Sequence, residues 1–241
     1  MSPTNSLPSA PDLIRRIANR LPRAVTYGGQ ASGPDAVPDY DIYEAYLFSL
    51  IVGVAQDMGY AVDYLTSDLT SATTLHFRRK PAPIYSHGSA SSSSGYRQFT
   101  HARLSYPGRA DLELHVGVQV AGTSKVAHEA DVLIIDSEAA ERARRKKIHP
   151  PSSASLLILE AKYYKQRSVG LAEARNFLGL HFDTSASHYM LACTVAQTSP
   201  KNLLAHRLPV ELREGVLPNR LGERSLSALI NAALTRYANR L

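Results

Sequence analysis

Two stretches of this chain, the first at its end, are apolar on both faces and still carry charge: Val126-Ala-His-Glu-Ala-Asp-Val-Leu-Ile-Ile135 and Ser155-Leu-Leu-Ile-Leu-Glu-Ala-Lys162. A strand with one face in water alternates apolar and polar residues, whereas a strand covered on both faces reads as a near-continuous apolar run. These runs therefore predict central strands of a sheet packed between helices. Charge inside such a strand is costly unless it is partnered, which singles out Asp131, Glu160 and Lys162. Side chains alternate along a strand, so Glu160 and Lys162 leave the same face about 7 Å apart in rise.

The rest of the chain supplies the covering layers. Asp12 to Arg20 reads as a short helix, and 21–38, punctuated by Pro22, Gly28, Gly29, Gly33, Pro34 and Pro38, reads as loop. Tyr40 to Met58 is apolar on nearly every side and stops at Gly59, the pattern of a buried helix; Asp41-Ile-Tyr-Glu44 fits a capping-box-like start. Residues 73–79 predict a strand, and Ser86 to Gly95, with six Ser and two Gly, is low-complexity. Phe99 to Tyr106 and Leu112 to Val120 alternate like strands, with Leu112, Leu114, Val116, Val118 and Val120 on one face and Glu113, His115 and Gln119 opposite. Gly122 then turns the chain into the 126–135 strand to make a hairpin.

After that hairpin, 136–155 reads as a charged excursion containing Arg142, Arg144, Arg145, Lys146 and Lys147. A helix from about Ser168 to His181 follows, then an apolar strand Tyr189 to Val195, and an amphipathic helix built on Leu226, Leu229, Ile230, Ala233, Leu234 and Tyr237 closes the chain. The expected fold class is α/β: a mixed central sheet flanked by helices, with additional strands and a C-terminal helix. With 241 residues and 44% apolar content, one globular domain is the default. Its expected parts are an N-terminal helix and loop (1–38), a core (40–195) and a C-terminal helical segment (196–241).

Composition removes several function classes. A single Cys excludes a disulfide framework and, with scattered His, offers no zinc spacing. Cys193 reads as core, and His115 and His128 as neutral strand residues. No apolar run reaches the roughly 18 residues needed to span a bilayer, and Met1 to Pro11 lacks the regions of a secretory signal; the expectation is a cytoplasmic protein with no membrane partner. Lys and Arg exceed Asp and Glu by 27 − 21 = 6, a balance compatible with a polyanionic partner.

Asp131 preceded by Ala130, then 28 intervening residues and Glu160-Ala161-Lys162, each on a central strand, resembles the PD-(D/E)xK nuclease superfamily, whose fold is restriction-endonuclease-like. The resemblance spans roughly 155 residues, Tyr40 to Val195, and implies an αβββαβ core with insertions at about 65–110 and 136–155. Ala130 stands where the family's nominal Pro would be. The resemblance implies a metal-dependent endonuclease acting on DNA ahead of RNA, with Mg²⁺ as cofactor and Mn²⁺ as substitute. Asp131, Glu160 and the main-chain carbonyl of Ala161 would be the metal ligands, Lys162 the residue that orients the attacking water, and Glu44 a further acid. Glu129, on the same strand face as Asp131, would be an auxiliary acid. Gln166 and the basic residues Arg142, Arg144, Arg145, Lys146 and Lys147 would contact nucleic acid. Among such proteins a homodimer and a role in restriction or antiphage defence are common. The alternative is a non-catalytic nucleic-acid-binding or assembly module that retains the fold.

Overall fold

The computed structural model describes residues 10–22, 24–27, 37–87, 90–91, 95–96, 98–206 and 209–239. Residues 28–36 of the predicted loop and 88–89 and 92–94 of the Ser-rich tract lie outside the described residues. The chain begins with α1 (Ala10–Arg20), β1 (Ala24–Tyr27), α2 (Asp39–Asp57), β2 (Ala61–Thr66) and β3 (Thr74–Phe77). It continues with three two-residue strands, β4 (Ala82–Pro83), β5 (Ala90–Ser91) and β6 (Gly95–Tyr96), then β7 (Thr100–Ser105), β8 (Leu112–Ala121) and β9 (Ala127–Asp136). The remainder is α3 (Ser137–Lys146), β10 (Ser155–Lys162), α4 (Leu171–Asp183), β11 (His188–Cys193), α5 (Thr198–Ala205), β12 (Val210–Glu214) and α6 (Leu221–Ala238).

The fold is α/β, as expected, with a mixed eight-stranded sheet in the order β12-β11-β10-β9-β8-β7-β2 and β4 paired to β8. Successive pairs from β2 through β7, β8 and β9 to β10 are antiparallel, whereas the β10–β11, β11–β12 and β4–β8 pairs are parallel. A parallel connection must cross over the sheet, and α4 is the crossover between β10 and β11. One face is covered by α1, α2 and α6, the other by α3 and α4.

Helix α2 is buried nearly all round because its sequence is apolar nearly all round; Tyr43, Tyr46, Leu47, Phe48 and Ile51 have no exposed surface. It ends at Gly59, whose φ of 88° is the left-handed conformation that glycine adopts without steric cost. The predicted capping box does not form. Pro38 occupies the N-cap without a side-chain bond, and Asp41 is buried against Arg79 Nε at 3.0 Å.

The 65–110 segment, expected as an insertion, supplies β7, which lies between β2 and β8 in the main sheet. Three other expectations are corrected. Residues 24–27, read as loop, pair in parallel with β3. The charged run 136–155 contains a helix: Asp136 caps α3 by accepting the Ala139 amide, and only the small residues Ser137, Ala140 and Ala143 face inward, so the apolar signal of the helix is faint. The 196–241 segment contributes an edge strand, β12, besides its helices.

Candidate functional site

The candidate site sits where two neighbouring strands part. β9 and β10 are paired from Ser155↔Ile135 to Leu159↔Val132, and their register goes no further. β8 and β9 stay paired on both sides of Asp131, at Val116↔Val132 and Val118↔Ala130. Gly117, opposite Asp131, takes a φ of 62°. Before this point Leu112, Leu114, Val116 and Val132 pack with α2; beyond it Val118, Val120 and Ala130 pack with α3 and α4. The single apolar face expected for β8 is thus divided at Gly117, because the hairpin bends onto the α4 side of the sheet.

The bend leaves Ala161, in a strand still paired to β11, without a main-chain partner on the β9 side. Asp131 fills the gap: its Oδ2 accepts the Ala161 N–H at 2.7 Å. The same oxygen accepts from Lys162 Nζ at 3.3 Å, and Glu160 Oε2 accepts from that ammonium at 3.0 Å. The side chains of Asp131, Glu160 and Lys162 are 9, 16 and 27% exposed. The sheet therefore brings together the three residues singled out in the sequence.

Glu44, half-buried on α2, belongs to the same electrostatic group. Burial pushes its pKa well above the usual carboxylate range, and the negative charges of Asp131, Asp41 and Glu129 push it further, against Lys162. Glu160 is pushed up to about 7 by burial and then by Asp131. Burial disfavours the Lys162 ammonium, but Asp131 and Glu160 overcome it and hold the pKa above its ordinary value. Three carboxyl groups share one ammonium, and the upward push on Glu44 and Glu160 shows that the site is short of positive charge. The donors are all hard oxygens, the set that suits Mg²⁺.

A cleft of about 240 Å³ opens beside these groups, lined by His128, Glu129, Glu160, Lys162, Glu173 and Asn176 among others. Exposed Glu129 thus borders it. α4 forms its floor, and the bent hairpin supplies His128. The His128 ring is held by Asp183 at 2.6 Å from Nε2; Asp183 also accepts from Thr123 Oγ1 at 2.9 Å and from the Ser124 amide at 2.8 Å. Sequence reading took His128 for a neutral strand residue and passed over Glu173 and Asn176. His128 and Asp183 lie 55 residues apart, and no local pattern joins them.

The basic residues do not act as one patch. Arg144 points inward and makes two bonds to the fully buried Glu113, Nη1 to Oε2 at 2.8 Å and Nη2 to Oε1 at 2.5 Å. That corrects its reading as a solvated phosphate contact. Arg142 pairs with Glu138 on the surface of α3, and Arg145, Lys146 and Lys147 are exposed. Gln166 is exposed in the segment after β10 and is not among the cleft-lining residues.

A second polar cluster surrounds Glu113. His115 Nε2 lies 2.8 Å and His101 Nε2 3.5 Å from Glu113 Oε2, and ligand atoms of the three residues lie within 4.8 Å of one another, close enough to hold a metal ion. Burial holds both imidazoles neutral, with His115 pushed down to about 4. Arg144, however, already neutralises the one carboxylate and places a cation beside the three groups. Burial raises the Glu113 pKa, and His101, His115 and Arg144 together reverse this and leave it below the usual range.

Cys193 is buried in β11, and burial, then Glu214, pushes its thiol up to about 12, the opposite of an activated nucleophile. No helix among the described residues is long and apolar enough to cross a membrane.

No family model and no curated protein matches the chain. Among solved structures, the crystal structure of a protein of unknown function is similar at 17% identity and a TM-score of 0.34. The alignment spans 48% of this chain and 55% of the other, about half of each.

Proposed function

We propose that this protein is a metal-dependent endonuclease of the PD-(D/E)xK type that hydrolyses phosphodiester bonds in DNA. The observation that carries the reading is the convergence of Asp131, Glu160 and Lys162 at the point where β9 leaves β10. The order α2, β8, β9, β10, α4, β11 supports a restriction-endonuclease-like core, with β2, β7 and α3 as additions to it. A buried ion cluster is expensive to keep for stability alone, and this one faces an open cleft.

Asp131, Glu160 and the Ala161 carbonyl would hold Mg²⁺, and Glu44 would complete the acidic shell. When bound, the cation lowers the pKa of water and neutralises charge on the phosphoryl oxygens. Lys162 Nζ, which donates to both carboxylates, would turn a donor toward the attacking water and offset the charge that grows on the phosphate. The carboxylates hold that ammonium protonated, so it acts as a fixed positive charge rather than as a base. A homodimer would suit two cuts in a duplex, and restriction or defence is the biological role proposed with it.

Supercoiled plasmid and single-stranded DNA incubated with wild type and Lys162→Ala, each with Mg²⁺, Mn²⁺ or EDTA, test the reading. Wild type is expected to cut with either metal and not in EDTA, and Lys162→Ala to lose at least a hundredfold in rate. Metal-independent cutting, or equal cutting by the variant, overturns the assignment. Binding of DNA with no cutting under any condition favours the non-catalytic module.

A further inference from the structure

A larger cleft, about 670 Å³, lies at the carboxyl ends of β10, β11 and β12, lined by Lys165, Thr194, Arg213, Arg220, Leu221 and Ser225 among others. Its position is the one where open α/β sheets take their ligands, outside the carboxyl ends of parallel strands. It adjoins the acidic site through the chain itself. The Thr194 amide donates to the Lys162 carbonyl at 3.2 Å, and Lys165 is three residues beyond Lys162, a span of at most about 10 Å.

The chemistry of its walls is the reverse of the acidic site. Three of the lining residues are Lys165, Arg213 and Arg220, and the one acid among the described lining residues, Glu214, is already engaged: its Oε1 accepts the Ala196 amide at 3.1 Å and its Oε2 faces Lys201. Lys165 pairs with Asp39 at 2.5 Å and Arg213 with Glu211 at 3.0 Å, ion pairs at half-exposed positions that a phosphate can join or displace at little cost. Leu221 is 74% exposed and Val195 40% exposed, so apolar surface stands beside the cations. Positive charge for phosphate next to apolar surface for a sugar or base is what a nucleic-acid strand requires.

We propose that this cleft is a subsite for the DNA backbone next to the scissile phosphate, with Lys165, Arg213 and Arg220 as phosphate contacts and Leu221 beneath a sugar or base. The identity of the strand as substrate rests on the nuclease reading; the presence of a polyanion-binding cleft does not. The strand runs from the acidic site across Lys165 toward the start of α6. This path leaves α3, with its exposed basic residues, outside the subsite.

Fluorescence anisotropy of a labelled 20-mer DNA, single-stranded and duplex, in EDTA at several salt concentrations measures the subsite without cleavage. Arg213→Gln, Arg220→Gln and Lys165→Gln are compared with Arg236→Gln, which removes the same charge about 22 Å along α6, and thermal melting of each variant confirms that it is folded. Each cleft variant is expected to weaken binding at least fivefold and to reduce the slope of log K against log salt by about 0.7 to 0.9, while Arg236→Gln changes neither. If folded cleft variants keep wild-type affinity and slope, or if Arg236→Gln lowers both equally, the subsite is refuted. Plasmid cleavage separates the two readings. Cutting by wild type with unchanged binding in the cleft variants refutes the subsite and leaves the nuclease, whereas binding lost in those variants without cutting by wild type keeps the cleft and refutes the nuclease.

Discussion

The Asp131 carboxylate takes the place of a strand: its Oδ2 accepts the Ala161 amide at 2.7 Å where the backbone of β9 has left β10. One side chain thus serves the sheet and the acidic site together, and substitutions can separate the two roles. Asp131→Asn keeps an acceptor for the amide, while Asp131→Ala leaves a buried N–H unpaired, which costs about 1 to 3 kcal/mol. Both variants are expected to lose cleavage, and urea denaturation should find Asp131→Ala the less stable by that amount. Equal stability would mean that Asp131 does not bridge the gap.

Burial, and then the charge of Asp131, pushes the Glu160 carboxyl up to about 7 from an ordinary 4.5. The folded state therefore holds its proton longer than the unfolded state, and the contribution of this group to stability falls as pH rises from about 4.5 to about 7. The loss is about 1 to 3 kcal/mol. A divalent cation among the carboxylates removes it, so Mg²⁺ should raise the melting temperature more at pH 8 than at pH 5. In Glu160→Gln that difference should shrink. An Mg²⁺ shift independent of pH would count against these ligands.

His115 works in the opposite direction. Burial lowers its pKa from 6.5 to about 4, so the unfolded state takes up its proton first and stability is lost as pH falls from about 6.5 toward 4. The loss approaches about 3 kcal/mol. Because Glu160 and His115 titrate across overlapping ranges with opposite signs, a raw stability curve mixes them. The difference between wild type and His115→Asn isolates the second, and it should narrow steadily on acidification. Glu113→Gln should cost about 3 to 5 kcal/mol at neutral pH by leaving Arg144 buried without its partner.

Gly117 is predicted to tolerate no side chain. Its φ of 62° is left-handed, and an added Cβ would lie 3.1 Å from the Arg78 Cβ. Gly117→Ala should cost about 1 to 2 kcal/mol from the backbone alone, read by chemical denaturation. Cleavage should fall further than this loss explains, since the bend at Gly117 aims Asp131. A variant as active and as stable as wild type would show that the bend can form elsewhere.

Much of this arrangement is legible in the sequence because period-two alternation and apolar runs are local signals. They place Glu160 and Lys162 on one face and Asp131 on the neighbouring strand. What escapes is whatever depends on distant pairing. Arg144 reads as a solvated residue because its partner Glu113 is 31 residues away, and α3 is obscured because Ala140 and Ala143 are its inward face. The flip of Val118 and Val120 onto the α4 side cannot be read from alternation, since one residue at positive φ resets the phase. β12, Val-Glu-Leu-Arg-Glu, alternates as an edge strand should, but five residues are too few to stand out.

The Asp183 clasp gives the hairpin a mechanical character. The arm beyond Gly117 and Asp131 is a beam built in at both ends, one end in the sheet and the other latched through Thr123, Ser124 and His128 to the last turn of α4. The gap between that beam and the end of β10 is therefore set by the length of the arm and the placement of its latch. The acids and the aperture belong to separate pieces of chain, so the span available to a substrate can be retuned at the latch while the reacting end stays as it is.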